Sequence, residues 1–306
     1  MTTDNDEPGY TFTVFTPTFN RAHTLPRVFE SLDSQTFRDF EWLVVDDGST
    51  DDTRSLIEEW RRAMPFPIRY LYQRNSGKHV ADNLAARSAR GRFIATLDSD
   101  DWYLPIALER FLAVWSSIPA DDQDGYVGVA ALCSNPDGKL IGRRFPKDVL
   151  DTTYRELSTK LGVTGDKAGF GRTDIVRDFP FPVFEGETLI LESLVYGRIA
   201  RSYRLRCVNE ILMIKEYQAS GLSADTRSDF AANPRTSKLY FLEQLLVGEG
   251  GEVRLLSAYA NHTRFALHAR ATGQSFRDVP SKLRWLLTFP VALLVHLRDR
   301  IRLRRR

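Results

Sequence analysis

Two short stretches of the chain are crowded with carboxylates. One is Asp46-Asp47-Gly48-Ser49-Thr50-Asp51-Asp52, the other Asp98-Ser99-Asp100-Asp101. Like charges held close together in a low-dielectric setting repel, so something must offset them. A divalent cation with oxygen ligands does so, and its remaining coordination positions suit phosphate oxygens. Asp98 and Asp100 are spaced i, i+2, which puts both on one face of extended backbone. Asp51 and Asp52 have a plainer reading, because acidic side chains beside a helix start complement its dipole. Cations lie in two other stretches, Thr16-Pro17-Thr18-Phe19-Asn20-Arg21 and Asn75-Ser76-Gly77-Lys78-His79, with Asn83 a turn further on. Arg21 and Lys78 are candidates for contacting a diphosphate, and His79 for lining the same pocket.

The hydrophobic pattern shows what must position these groups. Phe12–Thr16, Phe40–Val45, Ile68–Tyr72 and Phe93–Leu97 read as buried strands, the first stopped by Pro17. Between them run helical stripes: Leu25, Val28, Phe29 and Leu32; then Leu56, Ile57, Trp60 and Met64, with Thr50 as cap; then Ala81, Ala85 and Ala89. Strands alternating with helices over short links imply an α/β fold, a doubly wound and mostly parallel sheet covered on both faces. Ligands of such sheets bind beyond the carboxyl ends of the strands, where all four of these loops fall. Further along, Asn135-Pro136-Asp137-Gly138 is a hairpin turn, Thr188–Ala200 reads as helix, Tyr203–Val208 as strand, and the chain from Ser237 as helical.

Composition sets outer bounds. The 306 residues are 42% hydrophobic and 27% charged, which excludes disorder, collagen and coiled coil as whole-chain descriptions. Two cysteines provide neither a disulfide framework nor an all-Cys zinc site. The acidic, polar start does not read as a secretory signal, and no run of 18 apolar residues predicts an ordinary spanning helix. The expected location is therefore cytoplasmic. Charge is uneven: Arg277–Arg306 carries +7, so the remainder carries −5 against a total of +2. An acidic body does not suit nucleic acid, and the basic tail has a separate task. Within that tail Trp285–Leu297 is apolar and interrupted by Pro290, with Lys282 and Arg284 before it and six arginines after it. This pattern suits an anionic membrane surface, and predicts peripheral attachment to the inner face of the cell membrane through 282–306. The alternative is a core helix covering the body.

The segments TPTFNR, QTFRDFEWLVVDDGSTDDT, NSGKHVADNLA and GRFIATLDSDD, in this order and spacing, resemble family-2 glycosyltransferases of the GT-A fold. The close resemblance covers roughly 10–118. It implies a Rossmann-like GT-A catalytic domain over 1–225, with a nucleotide-sugar-binding half at 10–118 and an acceptor half at 119–225. A helical region at 226–306 follows. It also implies inverting transfer of one sugar from a nucleotide-diphosphate donor, a UDP-sugar foremost, to a carbohydrate or lipid-linked acceptor in polysaccharide or glycolipid assembly. By the same resemblance Thr16, Pro17 and Phe19 hold nucleobase and ribose, Asp47 contacts the base, and Asp46 supports its loop. Asp98-Ser99-Asp100 matches the D-x-D motif, with Asp100 the direct ligand of Mn²⁺ or Mg²⁺ and Asp98 orienting ribose or metal-bound water. Arg21, Asn75, Lys78, Asn83 and Ser99 complete the expected nucleotide site.

Inverting transfer needs a carboxylate base on the face opposite the leaving diphosphate. Members of the family place it about two helical turns before a basic residue. Glu192, six residues before Arg198, fits that spacing, although Leu191 replaces the usual preceding acid. Glu187 is the rival. The Q-x-x-R-W motif of polymerising relatives is met only by Gln274-Ser275-Phe276-Arg277, followed by Asp278, so one transfer per acceptor is expected. A nucleotidyltransferase and a non-catalytic nucleotide-binding module at the membrane are the alternatives. The first would favour a glycine-bearing loop after the first strand, where Pro17 stands. Oligomeric state is left open.

Overall fold

The structure, a computed structural model, describes residues 9–64, 66–188, 191–217, 230–248 and 251–303. Strand β1 (Tyr10–Thr18) is the centre of a parallel set, paired on one side with β2 (Phe40–Asp46) and on the other with β4 (Gly91–Thr96). Strand β3 (Ile68–Tyr72) extends it beyond β2. Side chains alternate between the two faces. Phe12, Val14, Trp42 and Val44 join the core beneath α1 (Leu25–Asp33) and α2 (Thr53–Ala63). Phe15, Leu43 and Val45 meet α3 (Lys78–Ser88), whose Ala81 and Ala85, with Ala89 at its C-cap, let it lie close to the sheet. Each fully buried large apolar side chain contributes about 1.5–3 kcal/mol, so this two-sided burial fixes the register. At the far end of the strands, Gly91 approaches β1 so closely that a Cβ would lie 2.3 Å from Thr13 N.

The sheet then turns mixed. β8 (Lys167–Arg172) runs antiparallel between β4 and β6 (Tyr126–Ser134), and β9 (Arg204–Ile214) runs parallel to β6. Two antiparallel steps restore the original direction, so β6 and β9 end at the same edge as β1 to β4. β5 (Trp102–Tyr103) and β7 (Val149–Thr152) flank β9. α4 (Ala107–Ser116), α5 (Tyr154–Thr159) and α6 (Thr173–Asp178) complete this unit's helices among the described residues, apart from the end of α7 (Glu192–Ile199).

The chain divides into two compact units, one reaching Phe181 and resuming at Val195–Ala219, the other made of Pro182–Leu194 and Ser220–Arg306. The expected division near 225 thus differs for 182–194. The reason lies in Glu187, which is buried and accepts hydrogen bonds from Arg235 N, Thr236 N and Thr236 Oγ1 at 2.7–2.8 Å. It caps α8 (Pro234–Val247) and ties its segment to that helix. The second unit also holds α9 (Glu252–His268), α10 (Thr272–Asp278) and α11 (Lys282–Leu303).

Several local expectations are corrected. β1 passes through Pro17, which is in register with Val45. Phe15 O accepts from Leu97 N, so Pro17, two residues on, would point a donor to the β4 side after β4 has ended. Asp51, not Thr50, accepts from Thr53 N and Oγ1 at the α2 start. α7 begins at Glu192 rather than Thr188, with 189–190 outside the described residues. The 135–138 turn closes only a single bridge, Ser134 to Leu140. β9 continues six residues past Val208. α11 runs through Pro290.

In the second unit α9 and α11 meet through a buried polar cluster. Arg264 forks onto Asp299 at 2.5 and 2.9 Å, His268 Nε2 lies 3.1 Å from Asp299, and the His268 and His296 rings are 4.1 Å apart. Burial lowers both histidine pKa values; Asp299 opposes this, while Arg264 and Arg300 add to it. A folded pKa below the unfolded value means that the unfolded chain takes up protons first as pH falls. The melting temperature should therefore drop as pH is lowered through about 6.5. His296→Gln should flatten that dependence, and a melting temperature indifferent to pH between 7.5 and 5.5 would contradict the assignment.

Candidate functional site

Every acidic loop lands at one sheet edge. Asp47 N donates to Thr18 O and Gln73 N to Asp46 O, so the loops after β1, β2 and β3 are laced together. Asp46 accepts from Ser49 N at 2.7 Å and from the Tyr70 hydroxyl at 2.6 Å. Asp47 accepts from Gln73 Nε2, Ser76 N and Gly77 N at 2.7–2.8 Å. Both carboxylates are thus engaged in shaping the rim. Gly48 has φ +90°, and a Cβ there would meet Asn75 N at 2.7 Å, so the two loops touch only because this residue is glycine.

The first loop is held in the same manner. Thr16 Oγ1 accepts from Trp42 Nε1, and Asn20, in the left-handed region at φ 54°, donates to Ser49 and accepts from Thr50 N. Thr16 and Pro17 are buried, whereas Phe19 is 45% exposed and offers a ring at the rim. Asn83 is placed differently: its amide donates to Phe181 O and accepts from Phe181 N, bracing the Phe179–Pro182 segment. Asn75 is exposed, and His79 is a buried residue in the first turn of α3.

The electrostatic centre is the segment after β4. Asp98 lies 3.2 Å from Lys78 Nζ and 3.3 Å from Lys215 Nζ. Burial would raise its pKa, but the two lysines outweigh burial and hold it at about 2. Burial, with the charge of Asp98, pushes Asp100 up against the opposing pull of Arg21. Burial drives Asp101 to about 7, and Lys215 Nζ lies 2.6 Å from it. Burial works against the Lys215 charge, yet Asp98 and Asp101 more than compensate and keep it protonated. Asp166 stands 3.7 Å from the same ammonium and accepts from the Tyr217 hydroxyl. Ser99 is buried between Asp98 and Asp100.

Lys215 and Asp101 were missed as site residues. The signal was present, because Lys215 follows directly on a strand. Reading β9 as ending at Val208 hid the fact that its true end, Ile214, delivers the next side chain to the carboxyl edge.

Among the described residues no three His, Cys, Asp or Glu side chains form a metal cage. The rim instead provides Asp98 and Asp100, hard oxygen donors suited to Mg²⁺ or Mn²⁺ sharing its shell with phosphate and water. A cation there would offset the repulsion between Asp98 and Asp100 and compensate the charge that burial disfavours, so the donor chemistry fits.

The family model described as Glycosyl transferase family 2 matches residues 13–178. The chain belongs to this family. A glucosyltransferase of Escherichia coli, WfgD, named for transfer from UDP-Glc to GlcNAc-diphosphoundecaprenol, is 26% identical over 78% of this chain and 94% of its own. Chondroitin synthase of Escherichia coli is 40% identical over 31% of this chain. The chain covers only 14% of that relative's length and, in a separate match, 31% of an uncharacterised Nostoc glycosyltransferase. In fold, the S. aureus TarS fragment 1–349 crystallised with UDP-GlcNAc superposes with TM-score 0.61 over 94% of this chain and 81% of its own, at 20% identity. The GT-A architecture with added C-terminal helices is therefore shown.

Removing one partner of a buried ion pair costs about 3–5 kcal/mol, because the other charge is stranded. Lys215→Met should lose stability of that order in urea denaturation. Adding Asp101→Asn should restore much of it. A loss below about 1 kcal/mol would show that the lysine does not organise the rim.

Proposed function

We propose that the chain transfers one sugar from a nucleotide-diphosphate sugar, a UDP-sugar foremost, to an acceptor hydroxyl with inversion. The observation that carries this reading is the placement of Asp98-Ser99-Asp100 at the carboxyl edge of the sheet, with Lys78 and Arg21 beside it. The 16–19 segment forms the wall for nucleobase and ribose, with the exposed Phe19 ring as its surface and the buried Thr16 and Pro17 supporting it. Asp46 and Asp47 keep that wall in shape through loops 47–50 and 73–77. A Mn²⁺ or Mg²⁺ ion held by Asp100 and Asp98 would supply charge neutralisation for the diphosphate.

Breaking the anomeric C–O bond leaves negative charge on the diphosphate. Lys78 and Arg21 stabilise that charge as it grows, from positions already fixed before the reaction. The attacking hydroxyl gives its proton to a carboxylate on the opposite face. Glu192 is the favoured base: it is exposed and opens α7, with Arg198 in the last turn of the same helix. Glu187 is the weaker choice, since its carboxylate caps α8. The acceptor in this reading is a carbohydrate or lipid-linked hydroxyl reached from the inner face of the membrane. WfgD, whose name specifies a diphosphoundecaprenol-linked acceptor, supports that class. Among the described residues no helix is long and apolar enough to cross a membrane, so attachment in this reading is peripheral.

A thermal-shift panel of UDP-, GDP- and dTDP-sugars with and without Mn²⁺ tests the donor. A UDP-sugar should raise the melting temperature in a metal-dependent way, and Asp100→Ala should weaken that binding at least tenfold. Metal-independent shifts with no turnover would favour a binding module, and turnover of a nucleoside triphosphate a nucleotidyltransferase. Glu192→Gln should reduce kcat by about 10²-fold or more while leaving donor binding intact. A kcat near wild type would remove Glu192 from the base role.

A further inference from the structure

The tail helix α11 has two different apolar faces. One packs inside its own unit: Trp285 donates to Ser275 Oγ, Ala292 is 1% exposed, and Asp299 is held by Arg264 and His268. The other face meets solvent. Leu283, Leu287, Val291, Leu294, Leu297 and Ile301 are 46–68% exposed. Their spacing of four, four, three, three and four residues keeps them in one stripe along the helix. Twenty-two residues give it a length of about 33 Å.

The charges around this stripe all have one sign. At 100° per residue, Arg284 and Arg302 flank it on one side, Arg298 falls within its C-terminal end, and Lys282 and Arg300 lie beyond the other side. The helix's one carboxylate, Asp299, is on the buried face, already spent on Arg264. Arg284 has a partial counter-charge in Glu252 at 3.0 Å. Three further arginines, 304–306, follow in the sequence.

A second copy of this chain is a poor occupant for such a face. Both ends of the stripe carry cations, so parallel and antiparallel pairing each bring like charges together. A layer that accepts apolar side chains and presents anions above them satisfies both features at once. The helix does not cross that layer, because Asp299, His296 and Thr288 on its opposite side are bonded or packed within the protein.

We propose that α11 is an interfacial helix that lies in the plane of an anionic bilayer. Its Leu283–Ile301 stripe enters the acyl boundary and its arginines engage the lipid headgroups, while its other face stays docked on α9. This deepens the peripheral attachment within the proposed function by naming the surface and its lipid partner, and the observations behind it are independent of the donor site.

Flotation of the full chain with vesicles of phosphatidylcholine alone, or with 30% phosphatidylglycerol, tests the proposal, at low and at 0.5 M salt. Binding should require the anionic lipid and fall with salt. Leu287→Glu with Leu294→Glu should weaken partitioning at least tenfold with melting temperature unchanged, since both side chains are exposed. Arg298→Gln with Arg302→Gln should weaken binding to the anionic vesicles and reduce its salt dependence. Equal partitioning to both vesicle types, or no partitioning at all, would overturn the proposal. So would a wild-type dimer in sedimentation velocity that Leu287→Glu with Leu294→Glu converts to monomer. UDP-sugar binding, measured without vesicles, separates this result from the fate of the donor assignment.

Discussion

A carboxylate pinned between two lysines organises this molecule. Asp98 sits just past β4, whose Phe93, Ile94 and Ala95 are buried, and it stays ionised there because Lys78 and Lys215 reach it from two other elements. Each of those elements has to be in register for this to happen. β4 must end beside β1, α3 must begin just past the 73–77 loop, and β9 must run parallel to β6 so that its end faces the same way. A slip of one residue in any strand would reverse its side chains and leave a buried charge unmatched. The two-sided apolar burial of the sheet is therefore also what keeps the charges at its rim in place.

The rim is a structure of shared constraints rather than a set of separate ligands. Asp46 and Asp47 turn their oxygens onto the backbone of Ser49, Ser76 and Gly77 and the side chains of Tyr70 and Gln73, which fixes the shape of the loops. Burial, and after it the charge of Asp98, raise the proton affinity of both Asp100 and Asp101, but Lys215 lies 2.6 Å from Asp101, whereas Asp100 has only the weaker pull of Arg21 and Lys215 against it. Lys215 links this centre to Asp101 and Asp166 and stands at the head of the 215–217 segment, where Glu216 pairs with Arg27 and Tyr217 with Asp166. Charge, loop shape and strand order are one problem with one solution here.

Much of this was legible in the residues. Alternating strand and helix periods identified the parallel half, and i, i+2 aspartates after a buried strand marked the site. What escaped depended on long-range pairing. Pro17 reads locally as a strand end because it lacks a donor, and only the earlier end of β4 makes that loss harmless. Lys215 looked like any basic residue because the length of β9 is set by partners β5, β6 and β7, distant in sequence. Asn83 and Glu187 carry polar groups of the expected kind, yet the fold engages them with the backbone of Phe181 and with the start of α8. Local pattern does not reveal which polar group a remote segment will claim. In the tail, one apolar run serves two environments: α11 packs Trp285 and Ala292 within its own unit and leaves Leu287, Val291 and Leu294 exposed.

The most direct measurement is a crystal structure of the chain with a UDP-sugar and Mn²⁺. It should show the ion on Asp100 and Asp98, the diphosphate toward Lys78 and Arg21, and the nucleobase against the Thr16–Phe19 wall. A nucleotide bound away from the carboxyl edge, or bound there with both aspartates turned from the ion, would contradict the role given to this rim.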